Sequence, residues 1–162
     1  MRSNERPSCP DCDSPLEVVG SRKRFIRRSD GERHALIIRR LKCGKCGCLH
    51  HELPDIIVPY KRYDAETIDK VLSEKEDTPS FPCETSTAVR MRVWFLLLRS
   101  YFEGTIRSLL FIYRRDRELC RELSGLALLD PATLENGWLK RLVRTIVNSG
   151  RWRQTRSAYA VR

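Results

Sequence analysis

Four of the seven cysteines in this 162-residue chain fall into two pairs, Cys9-Pro-Asp-Cys12 and Cys43-Gly-Lys-Cys46. Two intervening residues let both sulfurs of a pair turn toward one ion, and four thiolates suit zinc, which prefers a tetrahedral sulfur shell. Gly47 follows the second pair, where the backbone commonly needs a positive φ, and Asp13 takes that place after the first. Four thiolates close the shell, so one structural zinc ion is expected and a catalytic one is not. A redox role would set each pair between a strand and a helix, which does not fit two pairs flanking a hairpin. Cys48, His50 and His51 lie close enough to compete as ligands, but Cys43 and Cys46 make the better-spaced pair. The two histidines read as neighbours on a strand, one facing in and one out. Cys83 and Cys120 have no partner at ligand spacing and read as buried thiols.

The 30 residues between the pairs exceed the usual finger interval, and a hairpin would return their ends to one place. Residues 22–29 and 32–42 read as strands around Asp30-Gly31, with Ser29 set against Glu32 and Arg28 against Arg33. Residues 49–53 add a short third strand. The hairpin concentrates cations, with Arg22, Lys23, Arg24, Arg27 and Arg28 on one strand and Arg33, Arg39, Arg40 and Lys42 on the other. Like charges facing one another cost stability, and phosphate would neutralise them. Charged strand edges also discourage aggregation, which is the competing explanation.

Charge divides the rest of the chain. Residues 1–62 carry +6, residues 63–85 carry −5 and residues 86–162 carry +9, within a total of +10. Such an excess favours an anionic partner, nucleic acid being the commonest. Asp64 is a suitable N-cap for a helix to about Ser73. A second helix should begin near Ser86 or Thr87, bend at Gly104 and resume to about Ser124. Asp130-Pro131 predicts the start of another helix, through Leu134, Trp138, Leu142, Val143 and Ile146 to about Gly150. The first two helices resemble a helix-turn-helix with a long turn, placing Ser86, Thr87, Arg90 and Met91 where base contacts are usually made. The expected fold is therefore α+β. A zinc-ribbon hairpin of two or three antiparallel strands (1–60) precedes an all-α region of about four helices (61–150) and a frayed basic tail (151–162).

No Ser-His-Asp order, phosphate-binding glycine loop or His-Glu motif is present, so no enzyme is expected. The carboxylates at Asp64, Glu66, Asp69, Glu74, Glu76 and Asp77 read as a solvated face. The first residues lack the apolar core of a signal peptide, and Val93–Leu98 is too short to span a bilayer. A cytoplasmic protein with reduced thiols and no membrane partner is expected, nucleoid-associated when bound to DNA.

The Cys-Pro-x-Cys pair, the arginine-rich hairpin, the Cys-x-x-Cys-Gly pair and Pro59-Tyr-Lys-Arg-Tyr63 together resemble an uncharacterised bacterial zinc-ribbon family. That family is similar to the N-terminal zinc-ribbon and helix-turn-helix region of insertion-sequence transposases. The resemblance covers about residues 7–100 and implies Cys9, Cys12, Cys43 and Cys46 as ligands. It also matches Ser86-Thr87 with Arg90 and Arg92 to the start of the second helix. Asp13 stands where the family tends to have glycine, and Met91 where tryptophan is common. The implied function is DNA binding in a mobile element, without the catalytic domain, or in a transcription regulator derived from one. Duplex DNA would be held by the hairpin cations with Lys61, Arg62, Thr87 and Arg90. Two other classes fit the sequence: an adaptor that docks a protein partner or a second copy, and a binder of RNA or single strands through Phe25 or Trp152. Exposure of Trp94, Phe95, Tyr101 and Phe102 would favour the adaptor.

Overall fold

The computed structural model describes residues 8–74 and 83–152. Three antiparallel strands, β1 (Leu16–Arg27), β2 (Arg33–Cys43) and β3 (Leu49–His51), form a sheet in that order. Four helices follow, α1 (Ala65–Ser73), α2 (Thr85–Ile112), α3 (Arg117–Ser124) and α4 (Trp138–Asn148). The α+β arrangement is the one expected.

The hairpin differs from expectation by one step of register. Arg27, not Arg28, faces Arg33. The turn is a three-residue loop, in which Gly31 N donates to Arg28 O at 2.9 Å and Arg28 N to Glu32 O at 3.2 Å. Only Gly31 is left-handed, at φ 79. Asp30 instead accepts from Glu32 N at 2.7 Å and pairs with His34 at 3.1 Å, so its side chain closes the loop from outside. β1 also begins at Leu16, six residues before the expected start, because it pairs with β2 down to Cys43 across an irregularity between Val18 and Gly20. The third strand stops at His51 instead of Leu53.

Two small clusters bury the sheet on opposite faces. Ile26 and Ile38 pack with Ile57 toward the hairpin tip, while Leu41, Cys43 and His50 are buried at its base. Residues on one strand alternate between faces, so positions 38 and 41 must point to opposite sides.

α1 matches its sequence signals. Asp64 caps it by accepting from Thr67 N at 2.9 Å, and Ile68 and Val71 face the core. The carboxylates around it do not form one solvated face. Asp64 and Asp69 are buried, Asp64 lying 3.7 Å from Arg28, while Glu66 is exposed and pairs with Lys70. Glu76, Asp77 and the prolines of the expected break at 78–84 lie outside the described residues, of which that break contributes only Cys83 and Glu84. Arg92 crosses from α2 to donate to Val71 O and Glu74 O, each at 3.2 Å, and so pins the C-terminus of α1.

α2 runs through Gly104 without the expected interruption and ends at Ile112. The resumption is a separate helix, α3, capped by Asp116. α2 holds its course because Phe95, Phe102, Ile106 and Leu109 all seat in the helical core. Trp94 and Tyr101 pack against that core too, so none of the four aromatics named above is left as a docking patch.

α4 begins at Trp138, not after Asp130-Pro131. Asp69 reaches across from α1 to accept from Gly137 N at 2.8 Å, and Trp138 Nε1 donates to Ser73 Oγ at 3.4 Å. Trp138 is fully buried, edge-on to Phe95 at 5.4 Å. Of the expected frayed tail, Arg151 and Trp152 are described and both are packed. Trp152 tilts against Phe102 at 5.3 Å, and Arg151 donates to Ser108 Oγ at 2.8 Å. The rest of the tail lies outside the described residues. Among the described residues, no helix is long and apolar enough to cross a membrane.

Candidate metal centre and basic cleft

The sheet brings both cysteine pairs to its base. β2 delivers Cys43 opposite Leu16, and Cys9 sits just ahead of β1. Cys9 and Cys46 sulfurs are 3.6 Å apart and those of Cys12 and Cys43 are 3.4 Å apart. All four sulfurs lie within 4.8 Å of one another. A tetrahedral ion with sulfur ligands at about 2.3 Å requires sulfur separations of about 3.8 Å, so the cluster fits a single metal ion.

The two loops are built alike. Asp13 N donates to Cys9 O at 2.7 Å and Gly47 N to Cys43 O at 3.0 Å, with Asp13 at φ 55 and Gly47 at φ 73. Positive φ after each pair is what the spacing predicted, and aspartate meets it at the first. Cys46 N points at Cys43 Sγ from 3.5 Å. Hydrogen bonds from the backbone and hydroxyl of Ser14 pull the Cys12 thiol down to about 6, so it is largely a thiolate at neutral pH. Burial pushes Cys9 up to about 12. The Cys46 thiol is likewise raised, to about 11, so binding a divalent ion would release the protons of both Cys9 and Cys46.

Cys48 stays outside the four-sulfur group, its sulfur directed at Cys46 O. His50 is buried with Nε2 at 3.5 Å from Cys9 Sγ, while His51 is half-exposed, the inward and outward placement expected of them. His50 therefore touches a ligand from behind, and burial holds its pKa below the usual imidazole value. Cys83 and Cys120 are half-buried and join no metal-binding group among the described residues.

A second site lies at the other end of the hairpin. Residues 53–64 fold back along β1, with Arg27 N donating to Arg62 O at 2.7 Å and Asp64 N to Arg27 O at 2.9 Å. Between this segment and the start of α2 opens a cleft of about 800 Å³. Arg27, Lys61, Arg62, Thr87 and Arg90, all candidates from sequence, line it together with Tyr60, Tyr63, Cys83, Glu84 and Met91. Met91 is buried, which removes it from the set that could touch a base edge. α2 presents its N-terminus here without a side-chain cap and with no acidic residue in its first turn, although Glu84 flanks it. Its unpaired amides add positive potential to that of the four cations.

Tyr60 is the residue the sequence reading missed. Val58-Pro-Tyr-Lys61 forms a turn in which Lys61 N donates to Val58 O at 3.1 Å, and Tyr60 takes φ 58 where glycine is the usual occupant. Left-handed backbone costs a bulky residue about 1–2 kcal/mol, and this one sets its ring at the cleft. The proline at the preceding position was the available signal, since proline is common at the second position of the turn type whose third residue takes positive φ.

The other hairpin cations divide by what they touch. Arg24 donates to Lys61 O at 3.0 Å, and Arg39 makes a bidentate pair with Glu52 at 2.5 Å, so both are tied to the protein's own groups. Arg33 stacks on Phe25 at 3.8 Å and Lys23 lies 5.0 Å from the same ring. Arg22 and Arg40 are exposed. A smaller hollow of about 480 Å³ shares Arg27 and Arg62 with the cleft and extends it to Phe25 and Arg33. Lys61 sits over Trp94 at 4.2 Å, and burial lowers its pKa to about 8 against the opposing pull of the indole face.

A four-cysteine cluster that could hold one metal ion lies at the base of a three-stranded sheet, which a basic segment joins to a helical region. The chain belongs to the family described as a domain of unknown function, DUF6431, which matches residues 9–92. That span starts at the first ligand and closes just beyond the last residue lining the cleft. No curated protein matches the chain, and no solved structure does.

Proposed function

We propose that this chain binds duplex DNA by its phosphates, with the cleft as the primary contact and a structural zinc ion holding the hairpin in shape. The observation that carries this reading is the convergence on one cleft of Arg27 from β1, Lys61 and Arg62 from the linking segment, and Arg90 from α2. Cations gathered from three separate segments repel one another unless an anion joins them, and duplex DNA supplies phosphates in a row. Four thiolates at these separations suit zinc. The resemblance of the cysteine pairs and the Pro59–Tyr63 string to transposase DNA-binding regions adds a proposed setting, the ends of a mobile element.

Titrating a fluorescent duplex with the zinc-loaded chain at several salt concentrations tests this. Four phosphate contacts give a slope of log affinity on log salt of about −4. Binding that ignores salt, or no binding at low salt, would refute the reading.

Lys61 gives the interaction a pH signature. With a pKa near 8 in the free protein, it is charged below that value and loses its cation as pH rises through it. The arginines and the phosphates keep their charges over the same range. Affinity at constant ionic strength should therefore fall, by up to about tenfold, between about pH 7 and about pH 9.5. Lys61→Arg should flatten the profile; an unchanged slope in that variant would exclude Lys61 from the contact.

A further inference from the structure

α2 carries two apolar faces. Phe95, Phe102, Ile106 and Leu109 point into the helical core. On the opposite side Val89, Val93, Leu96, Leu97 and Phe111 remain in solvent, Leu97 at 78% and Phe111 at 72% exposure. At 100° per residue, Val93 and Phe111 share one direction five turns apart, and Phe102 points the other way. A helix apolar on both sides is one that is covered on both sides. The exposed set amounts to roughly 500 Å² per copy, the upper range of what a monomer leaves in water. With the stems of flanking arginines it approaches the ~800 Å² per partner of a stable interface.

Gly104 lies within the same stripe, midway between Leu97 and Phe111. It is exposed, its backbone is helical, and a Cβ added there would meet nothing among the described residues. Glycine inside a helix is less stable than alanine, and no described residue compensates for it. A backbone or side chain arriving from outside would use the space.

The stripe is also divided by size. Its N-terminal half is bulky (Val89, Val93, Leu96, Leu97), and Ser100 and Gly104 keep the next turns small before the exposed Arg107 and Phe111, while Ser108 at the edge is already bonded to Arg151. We infer that this face of α2 pairs with the same face of a second copy, antiparallel about a two-fold axis near Ser100. In that crossing Leu96 of each copy meets Gly104 of the other, so a large side chain fills the groove left by a small one, while Val93 packs on the stem of Arg107 and Val89 on Phe111 toward the ends. A parallel crossing would set large against large and leave the small residues facing a void. One patch meeting itself is the isologous contact of a two-fold dimer.

Sedimentation analysis of the full chain without DNA reads the result. The wild-type chain should dimerise with concentration. Gly104→Leu should make it monomeric while the helical circular dichroism and thermal midpoint stay equal or rise, because leucine is the better helix former. Leu97→Glu should also give a monomer. A wild-type chain that stays monomeric at its highest soluble concentration overturns the proposal, as does a dimer that persists in Gly104→Leu. A monomer that floats with anionic lipid vesicles would assign the face to a membrane surface and overturn it equally.

Discussion

Chelating the metal, or replacing Cys43 by serine, is expected to dissolve the sheet and leave the helices standing. The difference lies in what each part buries. The helical core contains nineteen buried apolar residues, among them Trp138, Phe102 and Trp152. Among the described residues the sheet clusters Ile26, Ile38 and Ile57, half-supported by Leu36 and Leu53, and adds Leu41 as the one buried aliphatic side chain at its base. Three isoleucines and one leucine cannot order a hairpin of this length, since each ordered residue costs on the order of 1–2 kcal/mol in backbone entropy. A structural zinc site contributes about 10–16 kcal/mol at neutral pH in small domains, enough to decide whether this one exists. Cys43, buried like Cys9, is a candidate ligand and the end of β2, so its loss removes both a sulfur donor and the anchor of the sheet. In heteronuclear NMR spectra of the full chain, amides of residues 16–51 should collapse to unfolded positions on chelation while helical ellipticity persists. Dispersed sheet resonances in the presence of chelator would show that packing, not metal, holds the hairpin.

Reversing two cleft charges should have the largest effect on DNA binding. Arg62 and Arg90 are exposed at the backbone positions they occupy, one on the linking segment and one on α2. Arg62→Glu with Arg90→Glu therefore leaves both cores intact. Each charge-assisted contact is worth roughly 1.5–3 kcal/mol, so the pair should lose at least about a hundredfold in affinity and flatten the salt slope by about 2. The matching control is Arg22→Glu with Arg40→Glu on the outer hairpin. If the control loses as much or more while the cleft variant binds normally, the contact lies along the hairpin and the cleft is not the site.

The elements set by local chemistry were legible in the sequence, and those set by distant partners were not. Each cysteine pair with the positive φ that follows it, and the cap of α1 at Asp64, depend on residues within a few positions of one another. α4 illustrates the other case. Asp130-Pro131 has the local form of a helix start, yet the chain turns for seven more residues until Asp69, far back in α1, offers a carboxylate to Gly137 N. Nothing near Gly137 announces that partner. Gly104 misled in the same way, because a glycine's local cost was read as a break while the core on the far side of α2 keeps the helix continuous. The cleft was half visible. Its arginines were obvious as charge, but their meeting depends on the fold-back of residues 53–64 along β1, which no periodicity encodes. The hairpin register turned on a single residue: Asp30 can take positive φ, but Gly31 takes it alone, and every cross-strand pair moved with that choice.

The length of α2 also acts as a ruler. In a pair crossed antiparallel at Ser100, the two Thr87 residues stand twenty-six helical positions apart, or about 39 Å along the axis. The two clefts would then face the same side of a duplex about one helical turn apart, near the ~34–36 Å that separates half-sites read by two-fold dimers. A chain so arranged would measure the spacing of an inverted repeat before reading any of its letters. Affinity should then peak for inverted half-sites about one helical turn apart and fall when the spacer is lengthened by half a turn.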